Sequence, residues 1–366
     1  MPLTSRRKAG TGESVNPSPV STLPHVHQIV LPTPWLDISV QVYLVDAEPL
    51  TLIDTGVKSP PSLEALQDGF TALGRELSGI ERIIVTHFHT DHMGQAQSIR
   101  DAGARLELCA HEIEAPLIES GPSRRMPMLE DRVELFVEYG VPRKTVERYA
   151  EAERRYQASG AALYEKTRVD RRCRSGDRVG FDGFELTVLH APGHTAGHLV
   201  LFEERSGTLF TGDHIMGAEC PFTDAYYVGN APDAEDPLAQ RPRLRGLSSY
   251  LKSLRELHEL DPRTILPAHG GIVHNPRRAI ESARRFYESR VRRVRQVLDD
   301  LTREQGEATA WEIWNAMFPG ARAEPEIRRR MLMVIGALDV LEEDGACRTA
   351  RREDGVLVHA AASWTS

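Results

Sequence analysis

The chain has 366 residues, 40% hydrophobic and 27% charged, with a formal charge of −8 and an isoelectric point near 6.0. That length admits two or three domains around a sizeable core, and the acidic balance argues against a dedicated nucleic-acid binder. No stretch approaches the roughly 18 apolar residues of a membrane span, and the basic N-terminus lacks the apolar run of a secretory signal. Cys109, Cys173, Cys220 and Cys347 contain no CxxC pair and read as free thiols. The expected location is therefore the cytoplasm, with no membrane association.

Residues 1–23, rich in Ser, Pro and Gly, read as a disordered tail. Short strands are then expected at 28–31, 38–45 and 50–54, a helix at 62–77, a buried strand at 82–86, a helix at 94–102 and a strand at 106–110. From 112 to 170 strand signals give way to charged, helix-forming sequence, read as a helical insertion that either roofs the site or merely decorates the fold. Strands resume at 178–179, 185–190, 199–202 and 208–211, followed by a helix at 246–260 and a strand at 264–266. Strands alternating with helices predict an α/β domain over 24–275. Beyond Pro276, Ile280, Ala283, Tyr287, Val291, Val294 and Leu298 recur at helical spacing. Two further helices at 311–318 and 327–341 precede a hairpin turning at Asp354-Gly355. Three helices and a hairpin outline a small winged-helix-like domain over 276–366.

The chemistry concentrates in Thr86-His87-Phe88-His89-Thr90-Asp91-His92-Met93-Gly94, read as a loop directly after a buried strand. Imidazole and carboxylate suit Zn²⁺ and related first-row metals, and four such groups are costly to bury without a partner. Three more candidate ligands follow strands: His194 in Ala191-Pro192-Gly193-His194, Asp213 in Phe210-Thr211-Gly212-Asp213, and His269 in Leu266-Pro267-Ala268-His269.

Order and context of these motifs resemble the metallo-β-lactamase superfamily over about residues 25–275. The resemblance implies a four-layer αββα sandwich with a helical insertion. It implies that His87, His89 and His194 hold one metal, that Asp91, His92 and His269 hold a second, and that Asp213 bridges both. Asp54, in Leu52-Ile53-Asp54-Thr55-Gly56, matches a family aspartate that orients ligands from behind. The implied cofactors are two divalent ions, Zn²⁺ first, with Fe or Mn as alternatives. The implied enzyme is a hydrolase using a metal-bridging hydroxide, with Asp91 available to hold or shuttle the proton. His198 and His214 are open between site and packing roles, while His190, His111 and Cys220 read as structural.

Fold does not fix the substrate. A small ester, thioester, lactone or β-lactam comes first, because the chain is acidic and the insertion can roof a small pocket. The C-terminal region resembles the winged-helix extension of a β-lactamase-like subgroup that includes a mitochondrial single-strand endoribonuclease, which keeps phosphodiester hydrolysis open. The long helix carries Arg277, Arg278, Arg284, Arg285, Arg290, Arg292, Arg293 and Arg295, either a phosphate-binding face or a solvated one. Iron-dependent persulfide oxidation is a third class; His89, where diiron relatives have Glu, counts against the diiron branch. A small-molecule substrate is preferred to nucleic acid, and a homodimer is an alternative use of the C-terminal segment.

Overall fold

The computed structural model describes residues 17–159, 163–217, 219–228, 242–320 and 323–362. One mixed sheet has seven strands in chain order: β1 (Ser18–Val20), β2 (Leu23–Pro32), β3 (Ser39–Val45), β4 (Thr51–Ile53), β5 (Arg82–Ile84), β6 (Glu107–His111) and β7 (Arg171–Cys173). Pairing is antiparallel from β1 to β4 and parallel from β4 to β7. The second sheet contains β8 (Arg178–Phe181), β9 (Phe184–His190), β10 (Leu199–Glu203), β11 (Thr208–Gly212) and β12 (Thr264–Pro267), ordered β12-β11-β10-β9-β8. Only β11 and β12 run parallel there.

Side-chain alternation along the strands builds the layers. In β3, Val40, Val42 and Leu44 point one way while Tyr43 and Val45 point the other; Leu52/Ile53 in β4 and Ile83/Ile84 in β5 divide likewise. The inward set meets Val188, Leu199, Leu201, Phe210 and Leu266 of the second sheet, forming the inter-sheet core. The outward set packs against α1 (Pro60–Ala72), α2 (Thr90–Met93), α3 (Ala96–Asp101) and α4 (Ala115–Ser120). Central strands buried on both faces explain why they read as continuous apolar runs.

The far face of the second sheet, through Val200, Leu209 and Ile265, packs against α5 (Arg125–Glu138), α6 (Arg143–Ser159) and α7 (Gly246–Glu259). The same core takes in α8 (Pro276–Gln305), α9 (Ala310–Met317) and α10 (Ala323–Glu343). The layers are thus helix, sheet, sheet, helix, the α/β sandwich expected. Beyond α10, β13 (Cys347–Arg351) and β14 (Leu357–Ala361) form the expected hairpin. The C-terminal helices begin cleanly: Asn275 caps α8, and Thr309 with Glu312 makes a capping box on α9. Residues beyond Pro276 share one core with the second sheet: Gly336 lies so close to Leu247 that a Cβ would sit 2.8 Å from the leucine's Cβ, and Arg243 pairs with the buried Asp339, Nη1 to Oδ2 3.0 Å.

Three expectations need correction. The tail does not run to Leu23, because Ser18–Val20 is already a strand paired with β2, an edge hairpin whose alternation is masked by Pro19 and Pro24; residues 1–16 lie outside the described residues. Strand β7 was not expected, since Arg171 and Arg172 flank its one buried residue, Cys173. The metal-type motif is not all loop, for Thr90–Met93 turns as a short helix. The insertion is helical as expected through α4 to α6.

A shared core predicts shared stability. Ile335→Ala, at a fully buried position of α10, is expected to cost about 2–5 kcal/mol while urea unfolding by far-UV circular dichroism stays a single transition. Two separated transitions, only one of them moved, would show an independent C-terminal unit.

Candidate metal centre

All seven candidate ligands meet at one edge of the sandwich, where the parallel strands end. His87, His89, Asp91 and His92 follow β5, Asp213 follows β11, His269 follows β12, and His194 stands on the turn after β9. In one group, His87 Nε2 and His194 Nε2 lie 3.0 and 2.9 Å from His89 Nδ1, and 4.0 and 3.4 Å from Asp213 Oδ2. In the other, Asp213 Oδ1 lies 3.5 Å from His92 Nε2 and 3.4 Å from His269 Nε2, while Asp91 stands 3.7 and 3.2 Å from the same two nitrogens. Ligand bonds of about 2.0 Å in tetrahedral array put ligand atoms about 3.3 Å apart, so both groups have the spacing of a coordination shell. The Asp213 carboxylate turns one oxygen to each.

Four of the five rings are held from behind. Asp54 accepts the Thr86 N–H (2.8 Å), the Thr86 hydroxyl (2.8 Å) and His92 Nδ1–H (2.8 Å). Since a carboxylate only accepts, His92 carries its proton on Nδ1 and keeps Nε2 free. The Thr86 hydroxyl, having given its proton to Asp54, accepts from His87 Nδ1 at 3.1 Å. His194 Nδ1–H donates to the Phe222 carbonyl (2.7 Å) and His269 Nδ1–H to the Ser39 carbonyl (2.7 Å). Asp54 itself adopts φ 58°, a left-handed conformation uncommon outside glycine.

The donors fit a divalent cation. Burial and the surrounding imidazoles hold His87 well below the ordinary histidine range, and burial with the neighbouring His194 pushes His89 down to about 3, so both rings are neutral with a lone pair to give. Burial opposes protonation of His92 and His269 too, but Asp213 and Asp91 overcome it, raising His92 and bringing His269 up to about 9. The Asp91 and Asp213 carboxylates therefore draw positive charge to this side, which protons on His92 and His269 or a bound cation in their place would supply. His92 Nε2 and Asp213 Oδ1 are buried without a hydrogen-bond partner, a deficit of about 1–3 kcal/mol each that coordination would remove.

Sequence reasoning missed Glu114. Fully buried, it accepts the Phe88 N–H at 2.9 Å and the Gly197 N–H at 2.6 Å, tying the loop of His87 and His89 to the turn of His194. Burial raises its carboxyl to about 7, offset in part by those two N–H donors. Gly197 permits the approach, as a Cβ there would lie 2.7 Å from Glu114 Cγ and 2.9 Å from His111 Nδ1. Of the other histidines, His198 accepts the Asp213 N–H at 3.2 Å and so steadies that loop. His214 packs beside Tyr250, ring centroids 4.6 Å apart. His111 and His190 stack on one another, centroids 4.2 Å apart, with His190 Nε2–H donating to the Ala196 carbonyl. Cys220 is half-buried beside the C-terminal helices' core.

A cavity of about 620 Å³ opens from His89, Thr90 and Asp91. Its walls come from Trp35, from α5 and α6 of the insertion, from Phe222 and from α10. Trp35 Nε1–H donates to the Tyr156 hydroxyl at 2.9 Å, joining the β2–β3 loop to the insertion.

Residues 36–269 match the family model described as the metallo-β-lactamase superfamily. The chain belongs to that superfamily. It is 32% identical over 326 residues to the Bacillus subtilis (strain 168) protein named "Probable metallo-hydrolase YqjP", covering 89% of this chain and 94% of that one. Among solved structures, a β-lactamase domain protein from Burkholderia ambifaria superposes with a TM-score of 0.72 at 21% identity over 95% of both chains. A metallo-β-lactamase family protein from Thermus thermophilus gives 0.66 at 25% identity, over 93% of this chain and 100% of that one. The likeness to YqjP and to these two structures extends past His269 into the C-terminal helices. This superfamily member is accordingly an enzyme of the metallo-hydrolase type.

Glu114 makes a prediction possible that leaves every candidate ligand in place. Glu114→Ala is expected to weaken metal retention about 10–100-fold, measured by chelator competition, with circular dichroism unchanged. Undiminished affinity would mean the two loops hold their places without it.

Proposed function

We propose that this enzyme is a dinuclear metal-dependent hydrolase of a small ester, thioester, lactone or related carbonyl compound, using two divalent ions, Zn²⁺ first. The observation carrying the dinuclear reading is the division of the Asp213 oxygens, Oδ2 toward His87 and His194, Oδ1 toward His92 and His269. His87, His89 and His194 would hold one ion and Asp91, His92 and His269 the other, with Asp213 common to both. Divalent ions so placed supply a nucleophile from water at neutral pH and a Lewis acid for the carbonyl oxygen. The chain's own groups do the rest. Asp54, Phe222 and Ser39 fix three imidazoles, so the site needs little reorganisation during reaction. Asp91, whose Oδ2 lies 3.2 Å from His269 Nε2, stands at the cavity floor where it can take up and return a proton. Phe88, Met128, Leu129 and Tyr149 give the cavity an apolar wall that holds a substrate body and excludes bulk water.

The arginines of α8 support a small substrate over RNA. Arg277 and Arg285 pair with Glu281, Arg284 and Arg292 with Glu288, and Arg295 with Asp299 while bonding the carbonyls of Ala346 and Ala362. Five of the eight arginines are thus engaged by three carboxylates along the helix itself, and Arg293 bonds Gln296. The winged-helix-like arrangement of α8 to α10 and the hairpin serves, in this reading, to complete the pocket wall.

Metal-loaded protein assayed on thioesters, lactones, β-lactams and single-stranded RNA is expected to hydrolyse a carbonyl substrate and leave RNA intact. His87→Ala or Asp213→Ala is expected to abolish turnover and lower bound metal, measured by elemental analysis. RNA cleavage, or oxygen uptake with a persulfide on iron-loaded protein, would reject the carbonyl reading. Full metal content in either variant would reject the ligand set.

A further inference from the structure

The cavity beside the metal centre is charged unevenly. Apart from Asp91, its wall carries Arg124, Arg132, Arg328 and Arg329 against the carboxylates of Asp224 and Glu153. Arg132 is committed: buried with Asp224, it donates through Nη1 and Nη2 to the two carboxylate oxygens at 2.7 and 3.0 Å. Arg328 leans on the same Asp224 at 3.3 Å, so one carboxylate faces two guanidiniums. Its guanidinium also stacks 5.2 Å from the centre of the Phe222 ring, and its Nε is buried with no hydrogen-bond partner. Arg329, the next residue of α10, is exposed and among the described residues has no ion-pair partner. Arg290 of α8 lies within electrostatic reach of Arg329 as a further like charge.

These arginines stand close to the chemistry. Phe222, beneath Arg328, is the residue whose carbonyl fixes His194. One cavity therefore begins at the candidate metal ligands, runs along an apolar wall and includes a surplus of positive charge supplied by the C-terminal helix. A neutral substrate would leave that charge uncompensated beside an apolar wall; an anion would form charge-assisted hydrogen bonds with it.

The geometry points to an anion subsite formed by Arg328 and Arg329, which makes this enzyme selective for acyl compounds bearing a carboxylate or phosphate beyond an apolar segment. The inference rests on the carbonyl-hydrolase reading above and names the substrate class of that same site. Arg328 and Arg329 act here as specificity residues, apart from the groups that handle the reacting carbonyl.

The test uses the full-length, metal-loaded protein and three thioesters of one acyl group. Their thiols are N-acetylcysteamine (neutral), mercaptopropionate (carboxylate) and phosphopantetheine (phosphate). The expected result is a kcat/KM at least about tenfold higher for one or both anionic substrates, the two arms telling carboxylate from phosphate. Arg329→Gln and the double variant with Arg328→Gln are expected to reduce that preference about tenfold, and Arg329→Lys to keep part of it. Calorimetric binding of the three matching non-hydrolysable thioethers reads the subsite without turnover. Equal kcat/KM for neutral and anionic substrates, or a preference unchanged in the double variant, would overturn the inference. If no thioester is hydrolysed but the anionic thioethers bind in an arginine-dependent way, the hydrolase reading fails and the subsite stands. Equal binding of all three thioethers overturns the subsite whatever the turnover.

Discussion

A carboxylate with one oxygen in each of two imidazole clusters has to be placed to within a fraction of an ångström, and much of the sandwich contributes to placing Asp213. Its strand, β11, lies inside the second sheet, paired on both sides by β10 and β12. Gly212 before it takes φ 49°, and a side chain there would come within 2.8 Å of the Thr86 hydroxyl. His198 holds its N–H. The Thr86 that crowds this glycine is also the residue that links Asp54 to His87. The two halves of the site, one from each sheet, therefore meet closely at this hydroxyl, and Glu114 ties them a second time. Such a buried polar network stabilises a unique arrangement only when its members are satisfied. A divalent cation would satisfy His92 Nε2 and Asp213 Oδ1.

Much of this arrangement could be read from the sequence because the chemistry is local there. His87, His89, Asp91 and His92 fall within six residues, and no apolar packing role accounts for so many ionisable groups directly after a buried strand. His194, Asp213 and His269 were marked by their positions at strand ends. The strands themselves were visible where apolar runs or alternation extend over several residues, as at Ile83-Ile84-Val85, and were missed at β1 and β7, three-residue strands with one buried side chain each. Glu114 could not be found that way. Its partners are backbone N–H groups 26 and 83 residues distant, and a glutamate before a helix looks the same whether it caps, floats or ties two loops together. The arginines of α10 were hidden for a similar reason: only the folded chain brings residue 328 beside residue 224.

The C-terminal segment shows how a compositional boundary can mislead about structural independence. Pro276 starts a new helix with a clean cap, and the charge pattern changes there, which invites a domain boundary. Yet the apolar stripe of α8 and nearly all the buried residues of α10 have no core of their own. They close over Tyr250, Leu254 and Ile265 of the catalytic half. Tyr287 of α8 donates its hydroxyl proton to the Pro221 carbonyl, on the loop that leads to Phe222 and thence to His194. Packing energy at the C-terminus is in this way connected to the orientation of a candidate ligand.

This connection separates two tasks that one polypeptide performs in different places. The candidate metal ligands stand at the ends of strands in the two sheets, several of them held there by Asp54, Thr86 and backbone carbonyls. Groups that would recognise the rest of a substrate stand on the β2–β3 loop, the insertion and α10, elements that enter the sheets' hydrogen-bond ladders nowhere. Trp35, Tyr149 and Arg328 line the cavity, and among the described residues none of them is hydrogen-bonded to Asp54, Thr86 or Asp213. A fold so divided can keep its metal chemistry constant while its substrate changes, because the coordination geometry depends on strand register and the pocket depends on helix packing. Both nevertheless meet at Phe222, whose carbonyl serves the first task and whose ring serves the second.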